Sequence, residues 1–427
     1  LGTGAWLTLR TGGFPQRNLG RALTLSLGRE ARRKGRGGVS PFGSLMTALA
    51  STVGTGNIVG VAAALVSGGP GALVWMELAA LLGLAAKFAE CMLAVKYHRV
   101  RQDGTRWGGP MAVMETRLGS AGAVLGRFYA LFALLMAFAM GAMAQSGALA
   151  DTFFAAFTLP RWRVGLVTAV LALAILLGGI RRIAEISTVL VPVMALLYLG
   201  GGLAVILGNL RRLPEALILM LRCAVAPEAA LGGALGIVTS REALRWGVAR
   251  SVFSNEAGLG SAAITAACAD TEDPVKQGLI SMTGVFFDTM VICTVTGLAI
   301  CCSGTLGAAD GNGLPLTGAA LTLRAFETVL GPLAPWLIGA ALGLFAFTSV
   351  LGCAVQAETT ASYLLGPEAV RPCRVLYGLA VFAGAVIPMA TVLQLTDLAN
   401  ALMAFPNLVC LLLLSGEIAG ECGRKER

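Results

Sequence analysis

A single histidine, His98, serves a chain of 427 residues, and none of its ten cysteines stands in a C-x-x-C pair. A zinc site needs thiolate and imidazole ligands clustered at short spacing, and most hydrolytic or proton-transfer sites need an oriented histidine or a carboxylate pair. Charge is scarce too: 13% of residues are Asp, Glu, Lys or Arg, where a soluble domain carries about a quarter. The chain is therefore read as neither an enzyme nor a metalloprotein, with no cofactor. Gly54, Gly56 and Gly60 give G-x-G-x-x-x-G, one residue off a dinucleotide loop, with no strand ahead of them. The opening "LGTGAWLTLR" lacks the charged start and small-residue cleavage site of a signal peptide. It reads as the end of an apolar helix meeting a basic loop, so more of that helix is expected ahead of Leu1.

Apolar length is what the sequence has in abundance. Hydrophobic residues make up 56% of it, and mean hydropathy is +0.78. Runs near the roughly 20 residues that cross a bilayer recur at about 41–66, 71–97, 123–150, 163–180, 184–207, 241–269, 277–302, 334–365, 373–391 and 395–416. An all-α polytopic membrane protein follows. Residues 1–40 are read as a helix end and a basic loop, 41–416 as one integral domain, and 417–427 as a cytoplasmic tail. The interval "NLRRLPEALILMLRCAVAPEAALGGALGIV" reads as an external amphipathic helix or re-entrant piece.

The net charge of +9 is concentrated in loops. Arg10, Arg17, Arg21, Arg29, Arg32, Arg33, Lys34 and Arg36 precede the first span; Arg99, Arg101 and Arg106 follow the second; Arg181 and Arg182 separate the fourth and fifth. Basic loops on alternate sides mark a cytoplasmic face, although Arg211, Arg212 and Arg222 fall on the other side. The charge sets orientation in a cell membrane, read as a bacterial inner membrane. It calls for no nucleic-acid partner.

Two spans are interrupted. "STVGTGNIVG" (residues 51–60) lies within the first and "FSNEAGLGSA" (253–262) within the sixth, about 200 residues apart. The spans that follow carry carboxylates at similar offsets, Glu90 in "AKFAE" and Asp288 in "VFFDTM". Five spans per half make the second half (about 241–416) enter inverted relative to the first (about 41–207), and paired breaks point to a secondary transporter's central site. Unwound backbone must face protein, water or ligand, because a bare polar group in hydrocarbon costs several kcal/mol. Its amide end attracts a carboxylate and its carbonyl end a cation. Gly56 and Gly60 also fit a helix-packing G-x-x-x-G. Lys87 and Glu90, three residues apart, can pair, either structurally or as an inner gate some 24–29 Å along the second span. Glu256 and Asp288 are candidates for proton coupling or an ion site. Gln145 either faces the pocket or bonds a neighbouring helix, and Arg245 and Arg250 border an external vestibule. A channel would need a continuous polar pore, which is not visible.

The stretches "PFGSLMTALASTVGTGNIVGVAAAL", "GGPGALVWMELAALLGLAAKFAECMLAVKY", "GGPM", "FSNEAGLGSA" and "DTEDPVKQGL" together resemble the alanine or glycine:cation symporters, also called sodium:alanine symporters. The resemblance covers nearly the whole chain. It implies a LeuT-type five-plus-five inverted repeat with an additional N-terminal helix, and sodium-driven uptake of small neutral amino acids. Position by position, it implies that Thr55, Gly56 and Asn57, with Ser254, Asn255 and Gly258, hold the substrate. It implies further that sodium, as coupling ion, sits between the carbonyls of Ala50 and Val53 and the hydroxyls of Thr348 and Ser349, hydroxyls that could equally back-bond their own helix. Cys353 departs from the family's usual tryptophan in the pocket wall, which admits a larger side chain such as glutamine. Gly43 and Gly147 depart too, from the family's usual glutamine and asparagine. Proton coupling and a larger neutral substrate remain the alternatives; oligomeric state is open.

Overall fold

Apolar runs of bilayer length can satisfy their own backbone only as helices or closed barrels, and here they are helices. The computed structural model describes residues 1–33, 39–100, 104–226, 228–230, 237–309 and 313–426. Lys34, Arg36 and Arg101 of the basic loops, and part of the interval before the sixth span, lie outside these residues.

Three short helices, α1 (Gly2–Arg10), α2 (Phe14–Arg17) and α3 (Leu19–Leu27), precede the first span. That span is split into α4 (Pro41–Thr52) and α5 (Val59–Gly68), bent by 62° at the break. Ser40 starts it, accepting a hydrogen bond from Gly43 N at 3.0 Å, with Pro41 at the first helical position. The second span is α6 (Gly71–Lys96). The third comprises α7 (Pro110–Met136), a π-helical stretch Ala137–Ala144, and α8 (Gln145–Phe157). Then come α9 (Arg161–Leu176), α10 (Gly179–Gly208) and α11 (Leu213–Val225). The expected amphipathic helix is α11: it buries Ala216, Met220 and Cys223, and its Ala224 carbonyl accepts from Trp75 Nε1 at 3.0 Å.

The sixth span is likewise split, into α12 (Ser240–Asn255) and α13 (Ser261–Ala267). The seventh is α14 (Pro274–Val285), a second π-helical stretch Phe286–Cys293, and α15 (Thr294–Ser303). A surface helix, α16 (Gly318–Leu330), leads to the long eighth, α17 (Ala334–Leu365), followed by α18 (Val370–Val386) and α19 (Met389–Leu413). Seven helices among the described residues are long and apolar enough to cross a bilayer, and the bent α4–α5 pair makes eight. The remaining two of the ten expected spans fall short for local reasons. α9 has only 16 residues, while α12–α13 is interrupted and carries Arg241, Glu242, Arg245 and Arg250.

Packing matches an inverted pair: α5 lies on α12 and α4 on α13, so the two outer halves meet and the two inner halves meet. The carboxylate-bearing helices α6 and α14 also pack together. At the C-terminus, the segment expected as a tail lies within α20 (Ser415–Glu426), fastened to the ends of α6 and α7. Glu417 pairs with Lys96 at 2.7 Å and Arg117 at 3.1 Å.

Candidate substrate and ion site

The first break is a single 3-10 turn, Thr55–Asn57. Asn57 closes it: its Oδ1 accepts from Gly54 N at 3.0 Å, satisfying one amide that the helix leaves over. Its Nδ2 turns the other way, donating to Asp288 Oδ1 at 2.8 Å and Ser254 Oγ at 3.1 Å. Ser254 Oγ donates to Asp288 Oδ2 at 2.6 Å, and Thr289 Oγ1 donates to the same oxygen at 2.9 Å. Asn255 Nδ2 donates to Thr289 Oγ1 at 3.1 Å. All five residues are buried. The structure thus joins Asn57, Ser254 and Asn255, expected together at the substrate, to Asp288, expected as a coupling or ion residue, in one network across the first, sixth and seventh spans. The π-helical turn at Phe286–Cys293 carries Asp288 and Thr289.

The other side of the first break faces the third span. Gln145, just after the first π-helical stretch, accepts through Oε1 from Thr55 Oγ1 at 3.2 Å and Thr55 N at 3.4 Å. Gly54 is pressed on by the eighth helix: a Cβ there would lie 2.7 Å from Ser349 Oγ and 3.2 Å from Gln145 Oε1. A Cβ at Gly56 would lie 3.1 Å from the ring of Phe253. Sequence reasoning did not single out Phe253, which stands beside the first break; the Arg250 guanidinium lies 5.5 Å from its ring centroid.

Of the expected ion ligands, Ser349 reaches the break, donating to Val53 O at 3.4 Å. Thr348 bonds its own helix at Leu344 O (2.9 Å) and Phe345 O (3.1 Å), the back-bonding alternative. Ala50 lies beneath Gly352, where a Cβ would come within 2.9 Å of its carbonyl carbon, so the eighth helix rides directly on the first. Cys353 is buried in a helix seam; a Cβ on Gly141 would fall 2.2 Å from that of Cys353, and its Sγ is 4.0 Å from Ser51 O.

The sixth break is held differently. Lys87 and Glu90 pair at 3.7 Å, and Glu90 Oε2 accepts from Gly258 N and Gly260 N, each at 3.1 Å. Gly258, expected at the substrate, also has its carbonyl taken, by Asn407 Nδ2 at 2.9 Å. Glu256 turns inward and accepts from Ser261 Oγ. Among the described residues no three His, Cys, Asp or Glu side chains cluster as metal ligands.

Two cavities flank this centre. One, of about 630 Å³, is lined by Val59, Ala148, Asp151, Leu342 and neighbours. The other, of about 360 Å³, lies on the side of the basic loops among Arg106, Arg181, Val355 and Glu358. Along α17 the first reaches Leu342 and the second begins at Val355, roughly 20 Å of helix apart, with Thr348 and Ser349 midway.

The family model of the sodium:alanine symporter family matches residues 1–423. An uncharacterised transporter of Haemophilus influenzae is 44% identical over 413 residues, covering 96% of this chain and 88% of its own. The sodium/alanine symporter AgcS of Methanococcus maripaludis is 41% identical over 423 residues, covering 99% and 92%. Among solved structures, a sodium-coupled sialic acid symporter in its substrate-bound outward-open state aligns with a TM-score of 0.59 at 13% identity, covering 97% of this chain and 85% of that one. At that identity the likeness is one of fold, a LeuT-type transporter fold.

Proposed function

We infer the function from one premise: the chain belongs to the sodium:alanine symporter family. It is a multi-pass membrane transporter that couples the entry of a small neutral amino acid, alanine or glycine, to sodium. We place it in a bacterial inner membrane, with residues 41–416 as a single transport domain.

The observation that carries this reading is the pair of cavities on opposite sides of the two breaks, separated by packed protein. Under alternating access, one such opening at a time would extend to the breaks. Substrate binds between the breaks, its carboxylate toward the amides of Thr55 and Gly56 and its side chain toward Phe253. Sodium binds where the carbonyls of Ala50 and Val53 meet Ser349, with Thr348 turning its hydroxyl from its own helix to complete the shell. Asp288, with Asn57, Ser254 and Thr289, supplies negative charge on the far side of the first break. The α4–α5 and α12–α13 pairs then move with α6 and α14 as one body against the third and eighth spans. Sodium favours the outward-open state because its ligands come from both bodies, so its site is complete only when they are correctly set.

Radiolabelled alanine uptake into proteoliposomes, with sodium or potassium outside at fixed pH, tests this. Sodium-dependent uptake competed by alanine and glycine is the expected result. Better competition by glutamine would reassign the substrate to a larger side chain. Uptake indifferent to sodium and driven by a pH gradient would transfer coupling to the buried carboxylates Glu90, Glu256 and Asp288.

A further inference from the structure

Asn407 has no place in the site just described, yet its amide ends on the backbone of the sixth break. It sits in α19 directly after Pro406, a proline inside the helix that removes one donor from the ladder and loosens the turn there. Asn407 is buried at 2% exposure, and its Nδ2 donates to Gly258 O at 2.9 Å and Glu90 Oε2 at 3.2 Å. Glu90 Oε2 therefore receives three donors: Gly258 N, Gly260 N and Asn407 Nδ2. Its other oxygen has no hydrogen bond and faces only the Lys87 ammonium, at 3.7 Å. Three residues of the break, Glu256, Gly258 and Gly260, hold positive φ of 53°, 88° and 79°. Glycine takes such dihedrals freely, so the one strained residue of the run is Glu256, and the hydrogen bonds from Glu90 and Asn407 select this shape among those the glycines allow.

We propose that Glu90 and Asn407 are positioning residues for the substrate site, a clamp from the second and tenth spans that fixes the backbone of residues 256–260. The proposal rests on the reading of the two breaks as the substrate cradle. The clamp sets the direction in which α12 delivers Phe253, Ser254 and Asn255. It touches neither substrate nor ion. Its loss weakens substrate capture while leaving the moving parts intact.

The test uses the whole protein in proteoliposomes. Asn407→Ala deletes the donor and leaves the Lys87–Glu90 pair in place; Asn407→Asp keeps the shape but sets a carboxylate oxygen against Glu90 and Gly258 O. For Asn407→Ala the expected result is a KM for alanine raised about tenfold with maximal rate within about twofold of wild type, since a lost hydrogen bond to a charged group corresponds to about tenfold or more in affinity. Asn407→Asp should be worse, and Asn407→Ser, which restores a donor, should recover part of the loss. A residue that serves packing alone would not distinguish Asp from Ser in this order. Wild-type KM in Asn407→Ala overturns the clamp, as does a fall in maximal rate at unchanged KM. Should the variants fail to fold, hydrogen exchange on the unmodified protein decides. Slow exchange of amides in the peptide covering 256–262, with or without alanine, supports the clamp, and exchange at the rate of free chain overturns it. Wild-type protein that takes up no alanine under any ion gradient would instead refute the transport assignment, and the exchange result would still decide the clamp.

Discussion

At the first break the backbone keeps negative φ from residue 53 to 58, whereas at the sixth three of five residues cross to the left-handed side. Both breaks are rich in glycine and crowded around it, but the sixth adds a demand from the backbone itself. Gly54 and Gly56 are small because Ser349, Gln145 and the Phe253 ring crowd the places where their Cβ atoms would stand. Gly258 and Gly260 are glycines because the chain there adopts dihedrals that L-residues resist. The supports differ in kind as well. The carboxylate of the second span takes backbone amides of the sixth break directly, while that of the seventh reaches the first break through the side chain of Asn57. The sixth break is a left-handed backbone fastened by Glu90 and Asn407; the first is a surface bordered by close neighbours. The second kind suits the binding of something that must enter and leave.

Substitutions can break this contrast. The largest effect is expected for Gly260→Ala, where a left-handed L-residue costs about 1–2 kcal/mol and the new Cβ would come within 2.4 Å of Pro110 Cγ and 2.8 Å of the Tyr129 hydroxyl. Both the melting temperature and uptake should fall; a variant that melts and transports like wild type would erase the distinction. Gly56→Leu should separate the two properties. With negative φ the backbone tolerates a side chain, so the protein should remain monodisperse, while the leucine fills the space against Phe253 and uptake drops to background. Normal uptake would remove the first break from the site. The smallest effect belongs to Cys353→Ala. In its seam against Gly141 the change deletes one buried sulfur, so uptake and the order of competing amino acids should stay within about twofold of wild type, at a stability loss of about 1 kcal/mol. A changed order would return Cys353 to the pocket wall.

Much of this was legible before any coordinates. Two polar interruptions at matching positions announced the breaks, and Glu90 and Asp288 stood out as carboxylates at matching offsets, though not as supports of the opposite break. What the sequence hid has physical causes. A π-helical turn inserts one residue into a span without altering its hydropathy, so the placement of Gln145 and Asp288 could not be read from periodicity. Asn407 meets Gly258 across 149 residues of chain, and only the folded packing joins them. Its one local sign was a polar residue after a proline in an apolar span. Thr348 and Ser349 look alike in sequence; one helical step of about 100° sends one to its own backbone and the other to Val53. Lys87 and Glu90 do pair, but depth along a helix said nothing of the sixth-span amides waiting opposite.

In the proposed mechanism the two breaks hold the amino acid, and sodium sits beside it between the first break and the eighth helix. Binding linkage tests it most directly. On purified protein, alanine affinity should be measured across sodium concentrations, and sodium affinity across alanine concentrations, with potassium keeping ionic strength constant. Each ligand should tighten the other by the same factor, about 5- to 150-fold for a coupling of 1–3 kcal/mol. Alanine affinity that is the same in sodium and in potassium would contradict it.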